Sequence, residues 1–192
     1  MDVEDGQRVT ASLAEQLDRV TFTNLSADEV TALIIGSAVD WATGQGWRVY
    51  RRAASVLPLP PPLSGRHSVV DVACARPDGP PLVIEVDRTD RARTVEKLSA
   101  EAAAGRIAIW VRWGTGPFAA PPPPVHLVTC AVSRRPGPGG AGRRYSRTPA
   151  SGDRPAPAHS TVAGGSTVAA ATAVELPIPE LAPDDAAASA GD

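Results

Sequence analysis

Three acidic residues lie within or at the end of apolar runs in the stretch SVVDVACARPDGPPLVIEVD, residues 68–87. Asp71 lies in the first run, and Glu85 and Asp87 lie in the second. A carboxylate in an apolar strand is costly to bury unless its charge is compensated. Two compensations are open here, ion pairs with arginine or a shared divalent cation bound through carboxylate oxygens. The predicted function depends on which of them applies.

The two apolar runs are predicted to form a β-hairpin, because they flank the turn sequence Asp78-Gly79. Alternation predicts strands over residues 67–75 and 82–87. It also puts Asp71 on the face opposite to Val70, Val72 and Cys74. Pairing across the turn brings Asp71 opposite Glu85, within one residue of register. Two carboxylates so placed repel each other, and a magnesium (or manganese) ion between them would reverse that interaction.

The elements around this hairpin follow from capping signals and periodicity. Ser26 and Glu29 form a capping box, which predicts a helix that ends near Gln45. The other predicted elements are a strand over residues 47–56, a helix over 94–104, and strands over 106–113 and 125–132. This order requires a crossover between parallel strands. The expected fold class is α/β (α+β), with an αβββαβ core and a mixed central sheet flanked by helices.

Composition divides the chain into three parts. Residues 1–25 are predicted to be an N-terminal helical arm, and residues 26–133 the folded domain. Residues 134–192 are predicted to be a disordered Pro/Gly/Ala-rich tail, because they contain almost no large apolar residue. Within that tail, residues 176–181 are the one apolar segment. It is a candidate linear motif for a protein partner, although ordinary low-complexity tail is the favoured interpretation.

The order of elements, with Asp71 in the second strand and Glu85 near the end of the third, resembles the PD-(D/E)XK nuclease superfamily, the restriction-endonuclease-like fold. The resemblance covers about residues 26–113. It implies a magnesium-dependent DNA phosphodiesterase in which Asp71 and Glu85 hold the metal. Asp87 stands where that family has its lysine, so its implied role is a further metal ligand or a base. Some members carry the lysine on the following helix, which makes Lys97 the candidate positive charge.

Alternatives remain open for the lysine and for the function. Lys97 also has the spacing of a solvent-side ion pair with Glu101, and we favour that interpretation. The leading hypothesis includes a catalytically decayed relative of such nucleases. The second hypothesis is a non-enzymatic module that binds nucleic acid or protein. In such a module the acids would pair with Arg66, Arg88 or Arg112. A third interpretation is an unrelated α+β domain.

Charge is compatible with DNA as a partner. Residues 46–113 hold eleven basic and seven acidic residues, whereas residues 1–45 hold two and eight. Arg88, Arg91 and Arg93 lie in the predicted loop after the third strand and are candidate phosphate contacts. The alternative is a solvated loop whose charges pair with each other.

Other classes of protein are not indicated. The two cysteines lack the spacing of a zinc site or a disulfide framework, and no nucleotide-binding or serine-hydrolase motif is present. The N-terminal residues form no apolar leader, and no apolar run reaches about 18 residues. We therefore expect a cytoplasmic protein with no membrane span.

Overall fold

The computed structural model describes residues 3–140 and 142–148. Its helices are α1 (Val3–Asp18), α2 (Ala27–Gly44) and α3 (Ala92–Ala103). Its strands are β1 (Phe22–Leu25), β2 (Arg48–Pro58), β3 (His67–Ala75), β4 (Leu82–Asp87), β5 (Ile107–Gly114), β6 (His126–Ala131), β7 (Ser133–Pro136) and β8 (Arg143–Arg147). The predicted α/β class and the αβββαβ order of α2 to β5 are confirmed. No helix in the described residues has the length and apolarity to cross a membrane.

A five-stranded mixed sheet in the order β2-β3-β4-β5-β6 forms the centre of the fold. Strands β2, β3 and β4 run antiparallel, whereas β4, β5 and β6 run parallel. Helix α3 joins β4 to β5, since parallel neighbours need a crossover connection. Every residue of β4 and β5 is buried, because helices cover both faces of these strands. Glu85 and Asp87 therefore lie in the interior of the domain.

Two apolar clusters cover the two faces of the sheet. The larger one holds residues of α1 and α2 together with alternate residues of β4 and β5. The smaller one holds Leu98 of α3 together with Val83 and Trp110 of the sheet. Because side chains alternate along β4, Glu85 and Asp87 follow Val83 on the α3 face.

The predicted alternation of β3 is wrong at Asp71. Val72 packs in the larger cluster, but Val70 packs in the smaller cluster on the other face. The ladder between β3 and β4 ends at the pair Val72–Ile84. On the other side of β3, Arg51 pairs with Val72 and Ala53 pairs with Val70. Arg52 between them has a left-handed φ of 51°. The strand therefore changes face at Asp71.

Helix α1 is an integral part of the domain, so the prediction of a separate N-terminal arm is wrong. The helix itself is confirmed, and Val9, Leu13 and Leu17 are its inward residues. They are at most 5% exposed and belong to the larger cluster, beside α2 and β6. Burial of this apolar face makes α1 part of the core.

Replacing Leu13 by alanine is therefore expected to lower the free energy of unfolding by about 2–5 kcal/mol. Leu13 is fully buried, so the change removes packing and leaves a cavity. Urea denaturation of the full chain measures the effect, with Glu15→Ala on the exposed side of the same helix as the control. A decrease in the free energy of unfolding of less than about 1 kcal/mol would instead support α1 as an arm outside the core.

The prediction that disorder begins at Arg134 is wrong for the described residues up to Arg147. Strands β7 and β8 pair antiparallel, and β8 also pairs with β1 to form a second sheet in the order β1-β8-β7. Tyr145 anchors this sheet: its ring is 3% exposed and packs edge-on against Trp113, with centroids 5.1 Å apart. The rest of the predicted tail, with its candidate motif at residues 176–181, lies outside the described residues.

Candidate active site

A cavity of about 500 Å³ opens at the end of β4, beside the first half of α2. We call it the acid cavity. Its lining includes Asp71, Glu85, Asp87, Arg88 and Arg91. The fold thus brings together five of the predicted site residues, because Asp71 in the middle of β3 lies beside the carboxyl end of β4, where the loop that carries Arg88 and Arg91 begins. The other two, Lys97 and Arg93, do not line the cavity.

The Asp71 carboxylate occupies the break in the ladder between β3 and β4. Its Oδ2 accepts a hydrogen bond from the backbone N–H of Val86 at 2.8 Å. The side chain thereby satisfies a β4 amide beyond the last residue pair of the ladder. Burial raises the pKa of Asp71, although the Val86 amide and the charges of Lys97 and Arg52 act in the opposite direction.

Glu85 is a buried carboxylate whose negative charge is only partly compensated. It is 6% exposed, and its Oε1 lies 2.6 Å from Nζ of Lys97. That distance is typical of an ion pair, but no donor reaches Oε1 with good hydrogen-bond geometry in the described residues. Burial raises the pKa of Glu85 to about 7; Lys97 opposes this shift, and the nearby charge of Asp71 adds to it.

Lys97 is not paired with Glu101, so the interpretation favoured from the sequence is wrong. Its ammonium contacts Glu85 from the α3 side and donates a hydrogen bond to the carbonyl of Val69 at 2.5 Å. The Lys97 side chain is 12% exposed. Glu101 is fully buried and pairs with Arg106 at 2.6 Å. The chain's single lysine is thus directed at the acid that the motif singles out.

Asp87 anchors helix α3 to the sheet. Its Oδ2 accepts hydrogen bonds from the hydroxyl of Thr94 at 2.8 Å and from the indole N–H of Trp110 at 3.1 Å. Its Oδ1 lies 3.6 Å from Nε of Arg91. Sequence reasoning missed both Thr94 and Trp110. The available signal was the position of Thr94 in the first turn of the helix that follows Asp87.

The three arginines predicted in the loop after β4 have different surroundings. Arg88 lies in that loop and Arg91 directly precedes α3, but Arg93 lies in α3, so its predicted loop position is wrong. Arg88 and Arg91 line the acid cavity, which keeps them as candidate phosphate contacts. Arg93 pairs with Glu96 at 2.7 Å and donates to the carbonyl of Pro58. It is therefore held at the end of β2 rather than at the cavity.

The arginine ion pairs of the binding-module alternative do not form. Within the described residues, Arg66 and Arg88 have no ion pair, and Arg112 pairs with Asp90. The guanidinium of Arg112 also lies over the Trp110 ring, 4.5 Å from its centroid. The compensation of Glu85 therefore comes from a lysine rather than from an arginine.

The donor set fits a two-carboxylate site for a hard cation. No three His, Cys, Asp or Glu side chains in the described residues form a ready metal centre. Asp71 and Glu85 nevertheless line one cavity, and burial raises the pKa of both. Magnesium is commonly bound by one or two carboxylates and retains several waters. Asp87 is the least available of the three acids, because Thr94 and Trp110 already engage it.

Comparisons of the chain with protein-family models, curated proteins and solved structures found no match. The resemblance to PD-(D/E)XK nucleases therefore rests on the element order and on the residues described above.

Proposed function

We propose that this protein is a metal-dependent nuclease that hydrolyses phosphodiester bonds of DNA. The proposal rests on the contact between Nζ of Lys97 and Oε1 of Glu85, which lie 2.6 Å apart. It brings an acid of β4 and a lysine of α3 together beside Asp71, at the edge of the acid cavity. An Asp, a Glu and a Lys in these positions of an αβββαβ core are the combination that the resemblance implies.

Each residue has a role that its surroundings support. Asp71 and Glu85 would hold the magnesium or manganese ion, because both line the acid cavity and a bound cation would offset the cost of burying their charges. When bound, the ion supplies Lewis-acid catalysis of phosphodiester hydrolysis. The ammonium of Lys97 contacts Glu85 from outside the cavity lining, so it would act through that carboxylate on the charge that develops on the phosphoryl oxygens. Arg91 would orient the backbone phosphate.

The full-length protein is expected to nick supercoiled plasmid in the presence of manganese or magnesium. Asp71→Asn should lower metal affinity at least about tenfold, measured by calorimetry, and should abolish nicking, because it removes one of two charged ligands. The matched control is Asp40→Asn, which changes an exposed acid of α2 outside the acid cavity. No metal binding by the wild type, or equal binding by Asp71→Asn, would refute the proposed site.

A non-hydrolytic nucleic-acid-binding module on the same fold is the second candidate. The observation in its favour is Asp87, which replaces the family's lysine and is engaged by Thr94 and Trp110. The same plasmid experiment separates the two functions. Retarded but intact plasmid with manganese present would favour this second candidate.

A further inference from the structure

A second cavity of about 380 Å³ adjoins the acid cavity. Its lining includes Ser26, Ala27, Arg88, Arg143, Arg144 and Tyr145. We call it the arginine cleft. Ala27 and Arg88 line both cavities, so the cleft lies next to the acid cavity.

The arginine cleft is built by the second sheet, which lies outside the αβββαβ core. Strand β8 supplies Arg143 and Arg144. The next residue of the strand, Tyr145, packs against Trp113 of β5 and so holds β8 against the core. Arg88 donates a hydrogen bond from Nη1 to the hydroxyl of Tyr145 at 3.1 Å. The loop after β4 and strand β8 are therefore tied together where the two cavities meet.

The cleft has an excess of positive charge. Arg144 has one acidic neighbour, Glu29, at 3.5 Å. In the described part of the chain, Arg88 and Arg143 have no ion pair, although Arg88 keeps its bond to Tyr145. Three guanidinium groups with one carboxylate raise the local positive potential and attract an anion. The guanidinium fork fits a phosphate group with two parallel hydrogen bonds.

We propose that the arginine cleft binds a backbone phosphate of the nucleic-acid strand, beside the phosphate held at the acid cavity. The choice of a nucleic-acid phosphate as the ligand rests on the proposed function. Contacts of this kind fix the register and direction of a strand and carry no base information. The cleft therefore positions the strand without selecting its sequence.

The test measures DNA binding separately from cleavage. Fluorescence anisotropy of a labelled oligonucleotide is recorded without divalent metal, in full-length protein that carries Asp71→Asn. Adding Arg143→Gln and Arg144→Gln is expected to weaken binding roughly tenfold at low salt. The slope of log Kd against log salt should fall by about 1. The charge-matched control adds Arg19→Gln and Arg48→Gln, two exposed positions that line neither cavity.

A single Arg143→Gln variant guards against misfolding, because Arg143 is exposed and has no ion pair within the described residues. Binding by both cleft variants equal to that of the control would overturn the inference, even if the wild type cleaves DNA. Inorganic phosphate that binds the cleft as tightly as the oligonucleotide would also overturn it, in favour of a free-phosphate site. A wild type that never cleaves, together with the expected loss of binding, would refute the proposed nuclease and support the cleft.

Discussion

Replacing Lys97 by glutamine is expected to lower the rate of manganese-dependent plasmid nicking roughly 100- to 1,000-fold, because it removes one preorganised positive donor from the proposed site. Its ammonium is the group that compensates Glu85 directly, at 2.6 Å. Initial nicking rates at saturating manganese measure the effect. Glu96→Gln, which changes an exposed neighbour in the same helix, is the control and should nick at the wild-type rate.

A catalytic role for Lys97 also predicts a split between metal affinity and rate. Without Lys97 the pKa of Glu85 rises further, so metal affinity and nicking rate are compared at increasing pH, up to the plateau that ionisation of the carboxylate produces. Metal affinity measured there should not fall, since the variant loses a cation that competes for Glu85, whereas the nicking rate stays low. Lys97→Arg should not restore the rate, because the wider guanidinium cannot make the same compact contacts with Glu85 and the carbonyl of Val69. Nicking by Lys97→Gln within threefold of the wild-type rate would contradict this role.

The surroundings of Lys97 were mispredicted because a local rule was applied where burial decides. The i,i+4 spacing favours an ion pair between Lys97 and Glu101 on an isolated helix. In the structure, however, Glu101 lies on the buried stripe of α3 with Leu98 and Ala102, and its carboxylate needs a partner of opposite charge. Arg106 provides that partner, which leaves Lys97 for Glu85. A strict helical periodicity, with Glu101 three residues after Leu98, could have predicted this.

The hairpin itself was predictable from the sequence. Strands over residues 67–75 and 82–87 have the predicted bounds, because alternation and the Asp78-Gly79 turn act locally. The change of face at Asp71 was not predictable. It coincides with a left-handed conformation at Arg52, and a sequence gives no warning of this where glycine or asparagine is absent.

The second sheet shows the limit of composition as a predictor. Residues 133–147 are rich in Arg, Pro and Gly, a composition that favours disorder. Pairing of β8 with β1 and burial of one ring, Tyr145, are enough to order the hairpin of β7 and β8 against the domain. These are long-range contacts, and no local pattern encodes them. The arginine cleft could therefore not be found from the sequence.

The contribution of Glu85 to the stability of the metal-free protein is expected to fall as the pH rises from about 4.5 to about 7. Burial raises the pKa of Glu85 from 4.5 to about 7, so in this window the folded state keeps a proton that the unfolded chain releases. More protons are bound to the folded state, and stability therefore decreases with pH. The full loss from Glu85 amounts to up to about 3 kcal/mol above pH 7. Asp71 contributes with the same sign, because its pKa is also raised.

Glu85→Gln is expected to remove most of this pH dependence and to make the metal-free protein more stable than the wild type at pH 8. Glutamine carries no charge to desolvate, so the folded state no longer loses stability as the pH rises. Urea denaturation between pH 5 and pH 8 in a chelator measures the change, with Glu96→Gln as the control that keeps the wild-type profile. Magnesium or manganese at pH 8 should then raise the stability of the wild type and leave that of Glu85→Gln unchanged, because the ion stabilises only a folded state that binds it. If the stability of Glu85→Gln varies with pH as that of the wild type does, the Glu85 carboxylate is not the group whose buried charge lowers the stability. If manganese fails to stabilise the wild type, the unfavourable burial of the Glu85 charge has a role other than metal binding.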